Sequence, residues 1–190
     1  MSEPAYTRLP VDERRRQLLE RGAELFARHS FDELSMAHIA GEVGTSKALL
    51  YHYFPTKQAY FAATLEQAAL ELAALTEPDP DLPPFEALEA SLDAFLGWVD
   101  AHALAYTKLL ESAGSVSEVK DLIDGVRDRT AQRIAEGVDA GSTPPARAAV
   151  RGWLWFMDGV ILDWLEHRDM TQDEVRGLLL RALAGALTGL

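Results

Sequence analysis

Residues 36–57, MAHIAGEVGTSKALLYHYFPTK, have the pattern of two short helices that cross at a glycine-bearing turn. Ala40 lies where the helices would contact each other closely, and its side chain is small enough to allow that contact. Gly44, four residues later, suits the left-handed backbone conformation of such a turn. Leu50 is the first large apolar residue of the second helix. The apolar seam between the helices is completed by Ile39, Val43 and Tyr53.

Each of the two short helices is preceded by a residue suited to cap it. Ser35 and Thr45 both offer a side-chain oxygen to the unpaired backbone N–H groups of a first helical turn. Ser35 is also a candidate DNA contact, although a purely capping role is the alternative. Such a helix pair places its second helix in the major groove of DNA. The stretch therefore predicts a DNA-binding helix-turn-helix.

The first residues of the second helix are expected to meet the base edges, because a recognition helix enters the groove by its N-terminal end. Thr45, Ser46 and Lys47 occupy these positions. Lys47 is the best single candidate for a base contact, since lysine can donate to the O6 and N7 atoms of guanine. Ala48 and Leu49 offer only apolar contact, for example to a thymine methyl group.

Polar side-chain tips further along the same segment suit phosphate oxygens, which fix register without reading sequence. Tyr51, His52 and Lys57 carry these tips. An ordinary solvated histidine is the alternative for His52, and Tyr51 and Tyr53 could both be core aromatics. We expect Tyr51 to face outward. The side chains expected to face inward are Leu50, Tyr53 and Phe54.

A further helical pattern precedes this segment. Pro10 and Asp12 stand before apolar residues that recur at three- and four-residue spacing, and the helix is expected to end near residues 29–32. Its run Arg14-Arg15-Arg16 has the composition of a hydrated helix face. The apolar stripe that would cover the helix pair consists of Leu18, Leu19, Ala23, Leu25 and Phe26.

RRRQLLERGAELFARHSFDELSMAHIAGEVG (residues 14–44) and LLYHYFPTK (residues 49–57) together resemble the DNA-binding domain of the TetR (tetracycline-repressor-like) transcriptional regulators. The resemblance covers about residues 12–62. It implies a three-helix helix-turn-helix domain at residues 10–60, and a helical domain at residues 61–190 that dimerises and binds a small effector. It also implies phosphate contacts from Tyr51 and Lys57. In this family the start of the first helix lies near the DNA backbone, so one of Arg14, Arg15 and Arg16 could contact a phosphate, with a hydrated helix face as the alternative.

The expected mechanism is that of a homodimeric repressor on double-stranded DNA. Two recognition helices would enter successive major grooves of a pseudo-palindromic operator, with their centres ~34 Å or a multiple of it apart. Effector binding beside the helix of residues 57–75 would change that separation. The sequence leaves open the operator, the effector, the regulated genes and the choice between repression and activation.

The net charge of −12 is unevenly distributed. Residues 1–57 contain eight Lys and Arg and eight Asp and Glu, whereas residues 58–190 contain ten and twenty-two. The excess negative charge therefore lies outside the predicted DNA-binding segment, so the acidic average does not argue against DNA binding. The balance predicts modest non-specific affinity with a strong dependence on salt.

The remainder of the chain has helical patterns separated by proline and glycine. Residues 76–84, TEPDPDLPP, break the helix of residues 57–75, which Thr56 is placed to cap. Further helices are expected near residues 85–101, 102–113, 118–137, 145–167 and 172–187, and the fold class is all-α. Capping patterns are formed by Ser115 with Glu118, Thr143 with Pro144, and Thr171 with Glu174.

Residues 150–167, VRGWLWFMDGVILDWLEH, are apolar nearly all around a helix, and such a helix requires burial on several sides. The following helix carries a stripe of small residues at Ala182, Ala186 and Gly189, which would allow a close approach. Two such helices from each of two subunits would form a four-helix interface. The alternative is that both are core helices of a monomer.

An effector cavity is expected to combine aromatic and aliphatic side chains with a few polar groups. The acidic segment would weakly favour neutral or cationic effectors over anions. For each candidate residue a core or interface role is the alternative. The candidates are Trp98, His102, Tyr106, Leu109, Trp155 and Asp158, with Trp153 and Met157 beside them.

Other classes of function are poorly supported. The sequence has no phosphate-binding glycine loop, no nucleophile motif and no metal-ligand spacing among its five histidines, so we expect no enzyme, cofactor or metal site. The absence of cysteine and of any long apolar stretch favours a cytoplasmic protein that does not associate with membranes. The competing hypothesis is a helical dimer that binds a small molecule or a protein and no DNA.

Overall fold

The computed structural model describes residues 11–112, 116–137 and 143–188, which form nine α-helices and no β-strand. The all-α prediction is confirmed. Contacts divide the chain into two compact units between Ala68 and Ala69. The helices are α1 (Val11–Phe26), α2 (Met36–Glu42), α3 (Lys47–Tyr53), α4 (Lys57–Leu75), α5 (Pro84–Ala101), α6 (Ala103–Ser112), α7 (Ser117–Gly137), α8 (Pro144–His167) and α9 (Gln172–Leu187).

The first unit, which ends at Ala68, has the predicted helix pair at its centre. Gly44 adopts a φ of +70°, and the neighbouring Thr45 N–H donates to Ala40 O at 2.8 Å. Ala40 is buried, as its position at the close helix contact predicts. The left-handed turn therefore depends on glycine, because a side chain there would be strained. The core of this unit is formed by Leu18, Leu19, Leu25, Phe26, Ile39, Val43, Leu50, Phe54, Tyr60 and Phe61.

Three of the capping predictions fall in this unit, and two of them are confirmed. Ser35 caps α2 by accepting from His38 N, and Thr56 Oγ1 accepts from Ala59 N at 2.9 Å. The prediction that Thr45 caps the second helix is wrong, because Ser46 Oγ accepts from Leu49 N at 3.1 Å. The helix begins one residue later than expected.

The first helix also differs from its prediction, because α1 ends at Phe26 rather than near residues 29–32. The Arg28 N–H donates to Leu25 O, three residues back, at 3.1 Å. This tighter turn ends the α-helical pattern of hydrogen bonds.

Helices α1 and α4 cross closely at Gly22. The Tyr60 hydroxyl is buried and donates to Leu18 O at 2.6 Å. A Cβ atom at Gly22 would lie 2.8 Å from Thr64 Oγ1 and 2.8 Å from Tyr60 Cζ, closer than real Cβ contacts. Burial raises the pKa of Tyr60, so its hydroxyl keeps the proton with which it bonds to α1.

The second unit, which begins at Ala69, packs α8 and α9 against each other and against α5 and α7. Thr143 caps α8, and Thr171 with Glu174 forms the predicted capping box at α9. The capping pattern at Ser115 lies outside the described residues. Core side chains of this unit include Leu92, Leu96, Val99, Tyr106, Val150, Trp153, Leu154, Ile161, Trp164, Val175, Leu179 and Leu183.

One cross-helix cluster ties α9 to α5. Gln172 Nε2 donates to the Asp93 carboxylate at 2.9 Å, and Arg176 Nη1 donates to the same carboxylate at 2.7 Å. The Gln172 hydrogen bond, followed by the Arg176 hydrogen bond, lowers the pKa of Asp93. Among the described residues, no helix is both long and apolar enough to cross a lipid bilayer.

Candidate DNA-binding surface

The recognition helix α3 has one buried side and one exposed side. Leu50 and Phe54 are buried at 0% and 2% exposure, as predicted, and they attach the helix to the first unit. Lys47 is exposed, and Tyr51 keeps 42% of its surface exposed. The members of each pair are four residues apart, so they lie one above the other along the helix.

Lys47 and Tyr51 lie one helical turn apart, and Lys47 Nζ is 5.8 Å from the centre of the Tyr51 ring. The pair presents an ammonium group and a phenol hydroxyl on one face. His52 is also exposed, whereas Tyr53 is partly buried. The face therefore carries hydrogen-bond donors of the kinds that contact base edges and phosphate oxygens.

The residues at the start of α3 line a shallow groove. Thr45, Ser46 and Leu49 form part of its wall, and Gly41 and Gly44 form the rest together with one arginine of α1. Leu49 is partly buried and Ser46 is exposed. The structure thus places four of the predicted contact residues, Thr45, Ser46, Lys47 and Leu49, at one end of one helix.

Lys57 has a structural role that the sequence did not indicate. Its Nζ atom donates to Phe31 O at 3.0 Å and to Leu34 O at 2.9 Å, and it lies 4.0 Å from the centre of the Phe31 ring. The ammonium group thereby ties the start of α4 to the α1–α2 connection. An ammonium has three N–H donors, so one remains for the predicted phosphate contact.

Arg21 is another functional position that sequence reasoning missed. Its Nη1 donates to Val43 O at 2.8 Å, and a Cβ atom at Gly44 would lie 2.7 Å from that nitrogen. The guanidinium therefore occupies the space beside the helix-turn-helix bend. No local sequence pattern predicts this hydrogen bond, because Arg21 and Val43 are far apart in the sequence.

The three consecutive arginines of α1 have different partners. Arg16 pairs with Glu13 at 2.8 Å and also with Glu20, and the Arg16 hydrogen bond lowers the pKa of Glu13. The Arg15 guanidinium carbon lies 5.3 Å from the centre of the Phe54 ring. Arg14 lines the groove at the start of α3.

The candidate effector residues of the second unit do not all face the interior. The Tyr106 hydroxyl is buried and donates to Asp158 Oδ1 at 2.6 Å, while Arg127 pairs with the other oxygen of Asp158. Burial, followed by the charge of Asp158, raises the pKa of Tyr106 well above its usual range. Tyr106 and Asp158 therefore form an internal polar cluster together with Arg127, which the sequence did not single out.

Trp155 lies on the surface. It is 62% exposed, and the Arg127 guanidinium carbon lies 4.0 Å from the centre of its ring. Trp98 stacks on the exposed His102 with ring centres 4.7 Å apart, and Leu109 is partly buried. Ligand binding by these residues stays a prediction.

The other two candidates belong to the core of the second unit. Trp153 is buried, and its indole N–H donates to Leu179 O at 2.8 Å. Met157 packs against the same core. Within the described residues, no group of three or more histidine, cysteine or acidic side chains could hold a metal ion.

The outer face of α8 is apolar and uncovered. Phe156 is 44% exposed beside the more exposed Trp155. Gly152 and Gly159 have no heavy atom within 4 Å of a Cβ position outside their own helix backbone. Large rings flanked by open glycine positions leave room for another helix to approach.

Comparison with known proteins agrees with this geometry. The sequence profile of the bacterial regulatory proteins of the tetR family matches residues 18–64. A second profile, the tetracyclin repressor-like C-terminal domain, matches residues 84–185. The HTH-type transcriptional activator FasR of Mycolicibacterium smegmatis is 30% identical over 111 residues, which are 55% of this chain and 49% of FasR. This chain thus aligns with about half the length of FasR.

Solved structures have a similar fold. A tetR-family transcriptional regulator from Streptomyces coelicolor matches with a TM-score of 0.82 and 29% identity, over 94% of this chain and 82% of that one. A TetR-like transcriptional regulator from Rhodococcus sp. RHA1 matches with a TM-score of 0.76 and 26% identity, over 96% and 100%. Since the C-terminal profile alone matches more than half of its residues, this chain belongs to the TetR family of DNA-binding transcriptional regulators.

Proposed function

We propose that this regulator is a homodimeric repressor that binds a pseudo-palindromic operator and is released from it by a small-molecule effector. The single observation that carries the DNA-binding part is the two-sided α3 helix. Leu50 and Phe54 fix its inner side in the core, so that Lys47 and Tyr51 are held outward. Because the helix backbone is already held in place, only the exposed side chains must be ordered when DNA binds.

The proposed contacts divide into base reading and backbone positioning. Lys47 donates to a guanine edge, with Thr45 and Ser46 beside it, and Leu49 makes apolar contact with a base. Tyr51, His52 and Ser35 bind phosphate oxygens, and so does the remaining N–H of Lys57. Ser35 performs both roles, because its hydroxyl oxygen accepts from His38 N while its own proton stays available.

The proposed dimer uses the outer faces of α8 and α9. Trp155 and Phe156 supply exposed apolar surface on α8, and Ala184, Gly185 and Ala186 are exposed small residues on α9. Large side chains on one subunit would fit against small ones on the other in an isologous four-helix interface. This arrangement would give the protein two recognition helices.

The proposed switch is a change in the separation of those two helices, for which the operator grooves require ~34 Å or a multiple of it. The effector would bind among Trp98, His102, Tyr106, Leu109 and Asp158 and favour a separation that no longer fits, whereas the exposed Trp155 is assigned to the dimer interface. It weakens DNA binding only by the ratio of its affinities for the two states, typically ~1 to 3 kcal/mol.

DNA binding is tested with a duplex selected from a random-sequence library by the full-length protein. Lys47→Ala and Tyr51→Ala should each weaken binding to it, Lys47→Ala by ~1 to 3 kcal/mol for each base that the lysine reads. The matched control is Lys120→Ala, since Lys120 is exposed on α7 and pairs with Asp124. If no duplex is enriched, the alternative of a helical dimer without DNA binding is favoured. If both variants bind like the wild type, the proposed contacts of Lys47 and Tyr51 are refuted.

The dimer is tested by sedimentation equilibrium. Phe156→Glu should yield monomers, because it places a charge inside the proposed interface. Leu104→Glu is the matched control, since Leu104 is 52% exposed on α6 rather than on the α8 face. A dimer that survives Phe156→Glu would contradict the proposed interface.

A further inference from the structure

The three consecutive arginines of α1 give different predictions for DNA contact once their partners are known. Arg16 is engaged by two carboxylates, from Glu13 at 2.8 Å and from Glu20. Its positive charge is thus locally compensated, and its donors are already directed along α1. It is poorly placed to neutralise a phosphate.

Arg15 is engaged by an aromatic ring. Its guanidinium carbon lies 5.3 Å from the centre of the Phe54 ring, which is only 2% exposed. Phe54 is the C-terminal cap residue of α3. The Arg15 guanidinium therefore lies near the C-terminal end of the recognition helix, away from the base-reading residues at its start.

Arg14 differs from both neighbours. It is partly buried, and its guanidinium makes no hydrogen bond or ion pair with any residue in the described ranges 11–112, 116–137 and 143–188. It lines the groove that also contains Thr45, Ser46 and Leu49, the residues at the start of α3. Arg14 is thus partly buried, and within the described ranges its five donors have no hydrogen-bond or ion-pair partner.

The composition of that groove favours an anion. Besides Arg14, its lining residues are two glycines, two hydroxyl residues and one leucine, with no carboxylate among them. Gly41 and Gly44 have no side chain, so a ligand could approach the backbone closely there. Arg14 is therefore the charged residue in the lining of the groove, and its charge is positive.

We propose that Arg14 binds a phosphate of the operator backbone and thereby sets the depth at which α3 enters the major groove. This inference rests on the proposed DNA-binding function and adds a positioning residue to it. A guanidinium can hold two phosphate oxygens at once, which fixes orientation better than the point charge of a lysine. The contact would carry no sequence information of its own.

The dependence of DNA affinity on salt separates this proposal from a merely structural role. Each neutralised phosphate contributes about 0.9 to the slope of log K against log[salt]. Arg14→Ala should therefore lower the slope by about 0.9 per subunit, or about 1.8 for a dimer. Between 50 and 200 mM salt, the deficit of the variant relative to wild type should shrink by roughly 12-fold.

The experiment measures fluorescence anisotropy with two duplexes, one selected from a random library and one of random sequence. Arg14→Ala should weaken binding to both duplexes by the same factor, because a phosphate contact is independent of sequence. Arg14→Lys should keep the salt slope while binding more weakly. Arg16→Ala, the matched control from the same run, should keep the wild-type slope. Circular dichroism confirms that each variant is folded.

Two outcomes would overturn the proposal. A wild-type salt slope in folded Arg14→Ala would show that Arg14 meets no phosphate. Equal slope changes in Arg14→Ala and Arg16→Ala would show that general charge, rather than the groove, is responsible. Either result would leave DNA binding by the wild type intact, whereas failure of the wild type to bind any duplex would refute the proposed function instead.

Discussion

The substitution Gly22→Ala tests whether the crossing of α1 and α4 depends on a missing side chain. The new Cβ would lie 2.8 Å from both Thr64 Oγ1 and Tyr60 Cζ, and closer still to the Tyr60 hydroxyl oxygen. Both neighbours are buried, so neither has room to withdraw. Overpacking of this kind costs about 1 to 3 kcal/mol.

Two smaller contributions of opposite sign adjust that value. Displacing the Tyr60 hydroxyl would break its 2.6 Å hydrogen bond to Leu18 O, which is worth about 1 kcal/mol. Alanine is a better helix former than glycine by up to about 1 kcal/mol. These contributions nearly cancel, so we expect Gly22→Ala to lower the free energy of unfolding of the first unit by about 1 to 3 kcal/mol.

The assay is urea unfolding followed by circular dichroism at the helix band. All four tryptophans lie between residues 98 and 164, so tryptophan fluorescence follows the second unit in the same samples. Gly41→Ala is the matched control, because nothing lies within 4 Å of its Cβ position and it should be neutral or stabilising by up to about 1 kcal/mol.

The two variants should therefore differ in sign. If Gly22→Ala is as stable as Gly41→Ala, the close approach of α4 to α1 is refuted. A Tyr60→Phe background supplies a second check, since it removes the hydroxyl oxygen nearest the new Cβ. Gly22→Ala should then cost less than it does alone, with a coupling of ~0.5 kcal/mol or more.

Three further predictions concern charged side chains. Lys57→Met should destabilise the first unit by about 1 to 2 kcal/mol in urea unfolding, because two carbonyls lose their donor, whereas Lys47→Met should be neutral. Asp158→Asn should lower the free energy of unfolding of the second unit by about 2 to 4 kcal/mol, because Asp158 is the partly buried partner of an arginine. Tryptophan fluorescence measures this change, and the control Asp163→Asn should have little effect because Asp163 is exposed. The lowered pKa of Asp93 means that the ionised carboxylate contributes its full stabilisation above the ordinary pKa of 3.8 and loses it as the pH falls below that value. The melting temperature of Asp93→Asn should therefore be less sensitive to acid than that of the wild type.

Most of the fold could be predicted from the spacing of residues that are close together in the sequence. The left-handed Gly44, the buried Leu50 and the capping box at Thr171 follow from residues within four positions of each other. Patterns of that length reflect helix geometry directly, so the sequence predicted them well. The prediction that Thr45 rather than Ser46 caps α3 was wrong, because both adjacent residues have the side-chain hydroxyl that an N-terminal helix cap requires.

Contacts between distant residues could not be predicted in the same way. Lys57 bonds to the carbonyls of Phe31 and Leu34, and the Tyr60 hydroxyl bonds to Leu18 O. Each of these pairs is separated by more than twenty residues, and no spacing rule connects them. A lysine near a recognition helix therefore indicated a phosphate contact, and its structural role was missed.

The same limit applies to the candidate effector residues. A helix that is apolar nearly all around predicted burial, and α8 indeed buries Val150 and Trp153 while leaving Trp155 exposed. Hydrophobicity alone does not predict whether an aromatic side chain packs in the core, lies in an interface with a partner protein or contacts a ligand. Arg127 on α7, which pairs with Asp158 and lies against Trp155, shows that the polar cluster is set by tertiary packing.

The partners of the arginines also bear on how this regulator would obtain affinity for DNA. Of the side chains proposed to contact phosphates, Arg14 and Lys57 carry a full positive charge, and the hydrogen bonds of Lys57 go to neutral carbonyl oxygens. Two phosphates neutralised per subunit would give a dimer a salt slope of about −3.6, and a decrease in affinity of roughly 150-fold between 50 and 200 mM salt. This dependence on salt is weaker than that of proteins that make six to ten phosphate contacts, so the electrostatic part of the binding free energy is small. The remaining affinity must come from oriented hydrogen bonds of groups such as Ser35 and Tyr51. These bonds form in both subunits only when the separation of the two recognition helices matches that of the operator grooves. A change in that separation would therefore release the DNA efficiently.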